Sequence, residues 1–206
     1  MKNPIKFRIL MLAISVAGFL AGCAAPQENA ERTLYDLGTL PAAQKASTPY
    51  ALPPLSVTEV NTPAWLNTRL MFYRLAYDNN QQPRPYASSR WSMTPAELLG
   101  QRLKARLGHA GGVVLSASDG VTNVPVLRVE ADEFTQIFTS PQQSIARVNV
   151  RASVLDGRKL LAHRNFLREV AAPTPDANGG ARALADASDA VITDMMDWLA
   201  GLPLKK

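Results

Sequence analysis

Few side chains in this 206-residue chain are placed to do chemistry, and the best placed is a thiol. Cys23, the only cysteine, directly follows Leu20-Ala21-Gly22. Ala21 and Gly22 are small enough to let a peptidase approach the backbone, and the thiol is a nucleophile able to carry a covalent lipid. One cysteine cannot form an intrachain disulfide, and an odd cysteine in an exported chain needs another partner. Acylation supplies it. The other candidates are weaker. His109 and His163 lack a histidine or cysteine at metal-ligand spacing. Glu130 and Asp132 are two residues apart, so strand alternation places both carboxyls on one face. Paired acid–base catalysis needs two such acids facing one cleft, and a solvated strand face is the plainer account. No G-x-S-x-G, P-loop or G-x-G-x-x-G pattern appears. The chain reads as non-catalytic, with no cofactor and no metal.

The residues ahead of Cys23 give it its context. Lys2, Lys6 and Arg8 precede a mostly apolar stretch from Ile9 to Leu20, and small residues follow. That is the layout of a secretory signal peptide, and the apolar part falls short of the ~20 residues a membrane span needs. Leu20-Ala21-Gly22-Cys23 resembles the lipobox of bacterial lipoproteins. The resemblance implies cleavage before Cys23 and acyl chains, such as palmitate, on its sulfur and its amine. An ordinary signal peptide with an incidental cysteine is the alternative. Each buried methylene contributes ~0.8 kcal/mol, and two or more chains anchor stably. Ala24 follows the cysteine, where an Asp would have resembled an inner-membrane retention signal. The expected location is therefore the outer membrane, on its periplasmic face.

Residues 1–22 are thus assigned to the signal, 23–33 to a lipidated tether and 34–206 to one folded domain. Extended, the ten residues 24–33 reach about 33 Å. The formal charge of +5 is largely a targeting effect. Three of the 22 basic residues lie in 1–22, leaving 19 against 17 acidic ones. No basic stripe with interleaved aromatics is present, which argues against nucleic acid as a partner. The mature chain has no long apolar run, so lipid is its evident membrane attachment.

Hydrophobic periodicity gives the order of elements. Short strands are expected at Leu34–Leu37, Leu55–Val60 and Leu70–Arg74, and an exposed turn at Asp78–Pro83. Thr94, Pro95 and Glu97 read as cap, first helical residue and capping-box acid of a helix with Leu99, Leu103 and Leu107 on one face. Val113–Leu115 is a short buried strand. Val124–Phe138 is a long strand whose apolar alternation changes phase between Val129 and Phe134, which predicts a bulge. Ala146, Val148, Val150, Ala152 and Val154 alternate with polar residues in a half-buried strand. Asp156-Gly157 predicts a hairpin into Lys159–Val170. Pro173–Gly180 reads as loop, and Ala181–Leu199 as an amphipathic helix. Leu184, Val191, Met195 and Trp198 lie on one side of it, and Asp186, Asp189, Thr193 and Asp197 on the other. The fold class is α/β, a single layered domain with a mixed β-sheet covered by helices.

Two segments stand out as contact surfaces: Trp65, Leu66, Leu70, Met71, Phe72, Tyr73 and Arg74, then Tyr86 through Trp91. Aromatics and arginine are frequent interface anchors, although core packing is the commoner fate of Tyr73 and Trp91. These residues also carry a family resemblance. Tyr35-Asp36-Leu37, Leu55-Ser56-Val57, Pro63-Ala64-Trp65-Leu66, Met71-Phe72-Tyr73-Arg74, the run Tyr86–Pro95 and Arg164-Asn165-Phe166 occur in an order that resembles the ABC-type transport auxiliary lipoproteins. That family includes the lipoprotein partners of MCE (mammalian cell entry) lipid-transport systems. Thr39–Pro54 carries no matching motif. The resemblance implies an accessory protein in the periplasm that docks a lipid-transport conduit at the membrane. Its partners would be an MCE protein and ABC transporter components. Tyr73, Arg74 and Trp91 are expected at or just beneath the docking surface, as contacts for the partner or for lipid. The alternatives are a structural or assembly lipoprotein, a pilot for another envelope complex, and a lipid carrier whose domain encloses an acyl chain.

Overall fold

The centre of the fold is built by two long alternating strands. In the computed structural model, which describes residues 32–40, 52–116, 119–121 and 123–204, β6 (Val126–Ser140) pairs antiparallel with β7 (Gln143–Asp156). Ala146, Val148, Val150, Ala152 and Val154 of β7 are buried, while Arg147, Asn149 and Arg151 point the other way. The expected bulge lies at Asp132. Ala131 pairs with Val150 and Glu133 with Asn149, so Asp132 is the extra residue. It lets Val129 and Ala131 share the buried face with Phe134 and Gln136 despite the change of phase. The two turn residues into β8 (Lys159–Ala171) are Gly157 and Arg158, between the paired Asp156 and Lys159, and Gly157 takes the positive φ, +55°, that the first position of such a hairpin turn reserves for glycine.

The other edge of β6 is shared by two strands laid end to end. β2 (Leu55–Val57) pairs parallel with Val126–Leu127, Asn61 bridges to Glu130, and β3 (Leu70–Leu75) pairs parallel with Gln136–Phe138. β5 (Val114–Ser116) extends the sheet beyond β2. On the other arm β4 (Asn79–Trp91) pairs antiparallel with β3, and β1 (Thr33–Tyr35) pairs parallel with β4. The result is a mixed, unclosed sheet of eight strands.

Helix α1 (Pro95–His109) starts in the expected capping box, with Thr94 and Glu97 bonded reciprocally. Helix α2 (Ala177–Ala200) packs on β7 and β8. Leu99, Leu103 and Leu107 of α1 meet Leu184, Val191 and Met195 of α2 in one core that includes Trp91 and Phe134. Among the described residues neither α1 nor α2 lies over the opposite side of β6, β7 and β8, called the open face below. No described helix is long and apolar enough to cross a membrane.

Three local expectations are corrected. Asp78–Pro83 is not simply an exposed turn: the turn is Ala76–Asp78, and β4 begins at Asn79 and runs through Pro83 and Pro85. Gly179 and Gly180 are not loop but the buried first turn of α2, capped by Asp176, whose side chain accepts from the Gly179 N–H. Asp189 faces α1, not solvent. It takes two bonds from the nearly buried Arg102, at 2.8 and 2.6 Å, and a third contact from Arg106 at 3.2 Å. Arg102 also donates to the carbonyl of Gly38 at 2.9 Å, tying the chain after β1 to both helices. Cys23, the signal and the tether as far as residue 31 lie outside the described residues, as do residues 41–51.

Candidate partner-docking surface

Alternation along β3 sends successive side chains to opposite faces of the sheet. Phe72 and Arg74 emerge on the open face, where a short 3-10 helix (Ala64–Leu66) delivers Trp65 between them. The Trp65 and Phe72 rings meet edge-on at 5.7 Å, and the Arg74 guanidinium lies 5.3 Å from the Trp65 ring centroid. Arg74 Nη1 also donates to the Asn80 carbonyl at 2.8 Å, so the cation is held from both sides.

Trp65 and Arg74 form one wall of a shallow cleft completed by Asn80, Asp132, Glu133 and Asn149. Burial raises the Glu133 carboxyl above the ordinary carboxylate range, and Arg147 and Arg74 oppose that rise. Asn149 Oδ1 is buried with no hydrogen-bond partner among the described residues, leaving an acceptor open beside the cleft. Farther along the face, Arg151 donates to Asp132 through two bonds, at 2.7 and 2.9 Å, and meets Glu130 at 3.0 Å. Arg147 bridges Glu169 at 2.6 Å and Glu133 at 3.8 Å. Glu130 and Asp132 therefore share a face, as alternation predicts, and both clasp an arginine. The surface is aromatic at one end and a ladder of opposite charges at the other.

Beneath it, on the helix side, Tyr73 packs on Tyr86 at 4.7 Å and Phe138 at 5.6 Å. The Tyr86 hydroxyl donates to Gln136 Oε1 at 2.8 Å, and burial holds its pKa far above the usual tyrosine value. Gln136, fully buried, donates onward to Ser144 Oγ at 2.8 Å and to the Asp176 carbonyl at 3.2 Å. Trp91 is 2 % exposed and lies edge-on to Phe134 at 5.3 Å.

The three expected contact residues are thus not brought together. Arg74 reaches the open face, Tyr73 is half-buried on the other side, and Trp91 belongs to the core. Sequence reasoning grouped them by neighbourhood; alternation within β3 separates Tyr73 from Arg74. Trp65 stands among the aromatics of the sequence, but its pairing with Arg74 is not legible there, because the two lie on different elements. His163 Nδ1 sits 3.0 Å from Ser153 Oγ, and His109 is exposed at the end of α1. Among the described residues no group of three or more His, Cys, Asp or Glu could hold a metal ion.

A family model described as ABC-type transport auxiliary lipoprotein component matches residues 35–196. No curated protein sequence matches significantly. Among solved structures, a Xanthomonas campestris protein of family DUF330 superposes with a TM-score of 0.69 at 16% identity, covering 82% of this chain and 95% of that one. An uncharacterized protein superposes with a TM-score of 0.64 at 14% identity, covering 82% and 99%. At these identities the structural likenesses speak to the fold.

Proposed function

The chain belongs to the family of ABC-type transport auxiliary lipoprotein components, and from that premise we propose that it is a non-catalytic docking protein held by lipid on Cys23 at the periplasmic face of the outer membrane. Its partner is an MCE protein whose conduit is driven by an ABC transporter and carries lipid between membranes. The family match supports the transport role. The lipobox-like Leu20-Ala21-Gly22-Cys23 and the following Ala24 support the anchor and its location. Residues 1–22 are removed as a signal peptide, and the tether lets the domain meet a partner about 33 Å from its anchor.

The observation that carries the docking role is the Trp65–Arg74 pair on the open face. An aromatic and an arginine already fixed against each other lose little side-chain entropy on binding, the usual property of an interface anchor. Tyr73 and Trp91 support that surface from beneath rather than touching the partner.

The test is a pull-down of the tagged, lipidated protein from native membranes, with the captured proteins identified by mass spectrometry. Recovery of an MCE protein with its permease and ATPase is expected. Recovery of an unrelated channel or a cell-wall component instead would overturn the transport role and favour an assembly lipoprotein.

A further inference from the structure

We propose that the open face ends, at the Gly157 turn, in a membrane-contact rim that settles into the anionic leaflet carrying the lipid on Cys23. The inference rests on the Cys23 anchor and is separate from the conduit-docking role. It begins with the rows that the strand registers draw across the face. Val126, Leu155 and Leu160 lie side by side in the last row before the turn. Their neighbours Leu127 and Val154 are buried in the core with the helices, so alternation turns this row to the open face. Val126 and Leu155 are half-buried, and Leu160 is 57 % exposed. Leu161, the extra residue where the β7–β8 register shifts, is exposed beside them. Val113, which leads into β5, and Val121, on the loop that leads into β6, belong to the same end of the sheet. Four of the seven large apolar side chains exposed among the described residues thus gather here.

The cations of this end are uncommitted. Farther along the face Arg74 holds the Asn80 carbonyl, Arg147 holds Glu169 and Arg151 holds Asp132. Arg128, Arg158 and Lys159 make no side-chain hydrogen bond or ion pair among the described residues. Against these three stand two acids, Asp156, opposite Lys159 in register, and Asp119, which accepts from the Ser116 N–H. An apolar rim with spare cations around it matches a bilayer of anionic lipid. Leucines sink to the boundary of headgroups and acyl chains, while long basic side chains stay with the phosphates. The rim is also the protruding end of a hairpin. A fluid bilayer closes around a protrusion, where a rigid partner would need a matching hollow.

Chain length permits both contacts. Through Thr33↔Ser89, Leu70↔Arg90 and Tyr73↔Gln136, β1 begins about level with Phe134. That is roughly ten strand residues, ~33 Å, from the turn. The tether spans this distance only when fully extended, and β1 runs toward the turn, so an upright domain would pull it taut. The sheet therefore leans on its rim, which lowers Thr33 toward the bilayer. Arg74 pairs with Ile137 at the other end of the face and stays above the lipid, free for the conduit.

The test uses the full lipidated chain in vesicles of phosphatidylethanolamine and phosphatidylglycerol. Cys23 is the only cysteine, and acylation leaves it without a thiol. Leu160→Cys and, in the β6–β7 turn at the far end, Gln142→Cys therefore each take one environment-sensitive fluorophore. Spin-labelled lipids are expected to quench the label at Leu160→Cys several-fold more than that at Gln142→Cys. Replacing phosphatidylglycerol with phosphatidylcholine is expected to reduce the difference. Equal quenching at the two positions, none at either, or quenching at Leu160→Cys that ignores the loss of anionic lipid would each overturn the proposal. Protection of the Leu160→Cys label only after a periplasmic protein is added would do the same and assign the rim to a protein partner. Labelling of the unsubstituted chain, with failure to float with the vesicles, would instead overturn the Cys23 anchor, and the rim's membrane role with it.

Discussion

Gly180 lies flush against the side-chain amide of Gln136, so close that a Cβ on the glycine would overlap Oε1 and Cδ. The first turn of α2 can approach β6 only because that position is bare. The approach brings the Asp176 carbonyl to Gln136 Nε2 and leaves Oε1 for the Tyr86 hydroxyl. One missing methyl group therefore lets β4, β6, β7 and α2 share a single buried amide.

Replacing Gly180 with alanine is expected to destabilise the domain by about 1–3 kcal/mol, the range for overpacking, despite alanine's better helix propensity. Gly100 in α1 provides the contrast. A Cβ there meets only Val60 Cγ2, at an ordinary 3.5 Å. Gly100→Ala is expected to stabilise by about 0.5–1 kcal/mol through propensity alone. Urea denaturation of both variants checks the sign. A neutral or stabilising Gly180→Ala would show that the helix end shifts freely.

Asp189 accepts from Arg102, 7 % exposed, and also pairs with Arg106. Removing the shared acid strands one nearly buried guanidinium and one partly buried one. Removing Arg102 leaves Asp189 still paired. Asp189→Ala is therefore expected to cost about 3 kcal/mol, typical of breaking a buried ion pair from one side, and clearly more than Arg102→Met. Equal losses for the two variants would argue that the pair is screened by water.

The long strands, the Asp132 bulge, the α1 capping box and the hairpin turn at Gly157 are legible because each is written in residues a few positions apart. Alternation of Ala146 through Val154 needs no knowledge of the rest of the chain. β4 was missed because Asn79-Asn80-Gln81-Gln82-Pro83 has turn composition, and only pairing with β3 extends it. Gly179-Gly180 read as loop for the same reason: the need for a bare backbone comes from Gln136, far away in sequence. At the surface, the residue types were recognisable but their faces were not. Separating Arg74 from Tyr73 required the phase of β3, and coupling Arg74 to Trp65 required the chain to fold.

Two carboxyls should shift stability with pH in opposite directions. The Gly179 N–H, then the Thr174 hydroxyl, hold Asp176 below the usual carboxylate range. Its contribution is complete above the unfolded value of about 3.9 and is lost as pH falls through the lower folded value. Asp176→Ala is expected to cost about 1 kcal/mol at neutral pH as a lost cap, with the gap closing in acid. Burial raises Glu133. Its ionisation weakens the fold progressively as pH rises from the unfolded value of about 4.3 through the folded one. Glu133→Gln should match the parent in acid and exceed it at neutral pH. Thermal melts across pH 3–8 (roughly the window set by those values) would show the two crossings; a Glu133→Gln variant weaker than the parent at neutral pH would mean that its pairing with Arg147 outweighs burial.

The surface and the core beneath it can be separated by substitution. Trp91 fills the core against Phe134, so Trp91→Ala is expected to cost about 3–5 kcal/mol, as truncating a buried aromatic does. Any loss of partner binding in that variant would follow unfolding and say nothing about contact. Arg74→Ala removes a half-buried guanidinium whose own bonds go to the Asn80 carbonyl and the Trp65 ring. Its stability cost is expected to stay below about 1 kcal/mol, as for an exposed cation–π contact. If the open face docks the conduit, Arg74→Ala and Trp65→Ala should each lower partner recovery at least about tenfold, as loss of an interface anchor worth more than 1 kcal/mol implies, with the melting transition little changed. Arg74→Lys keeps the charge but not the planar group that stacks on indole, so it should recover only part of the binding. Full recovery with lysine would reduce the site to simple charge attraction. Undiminished recovery with alanine at both positions would move the docking surface elsewhere on the domain.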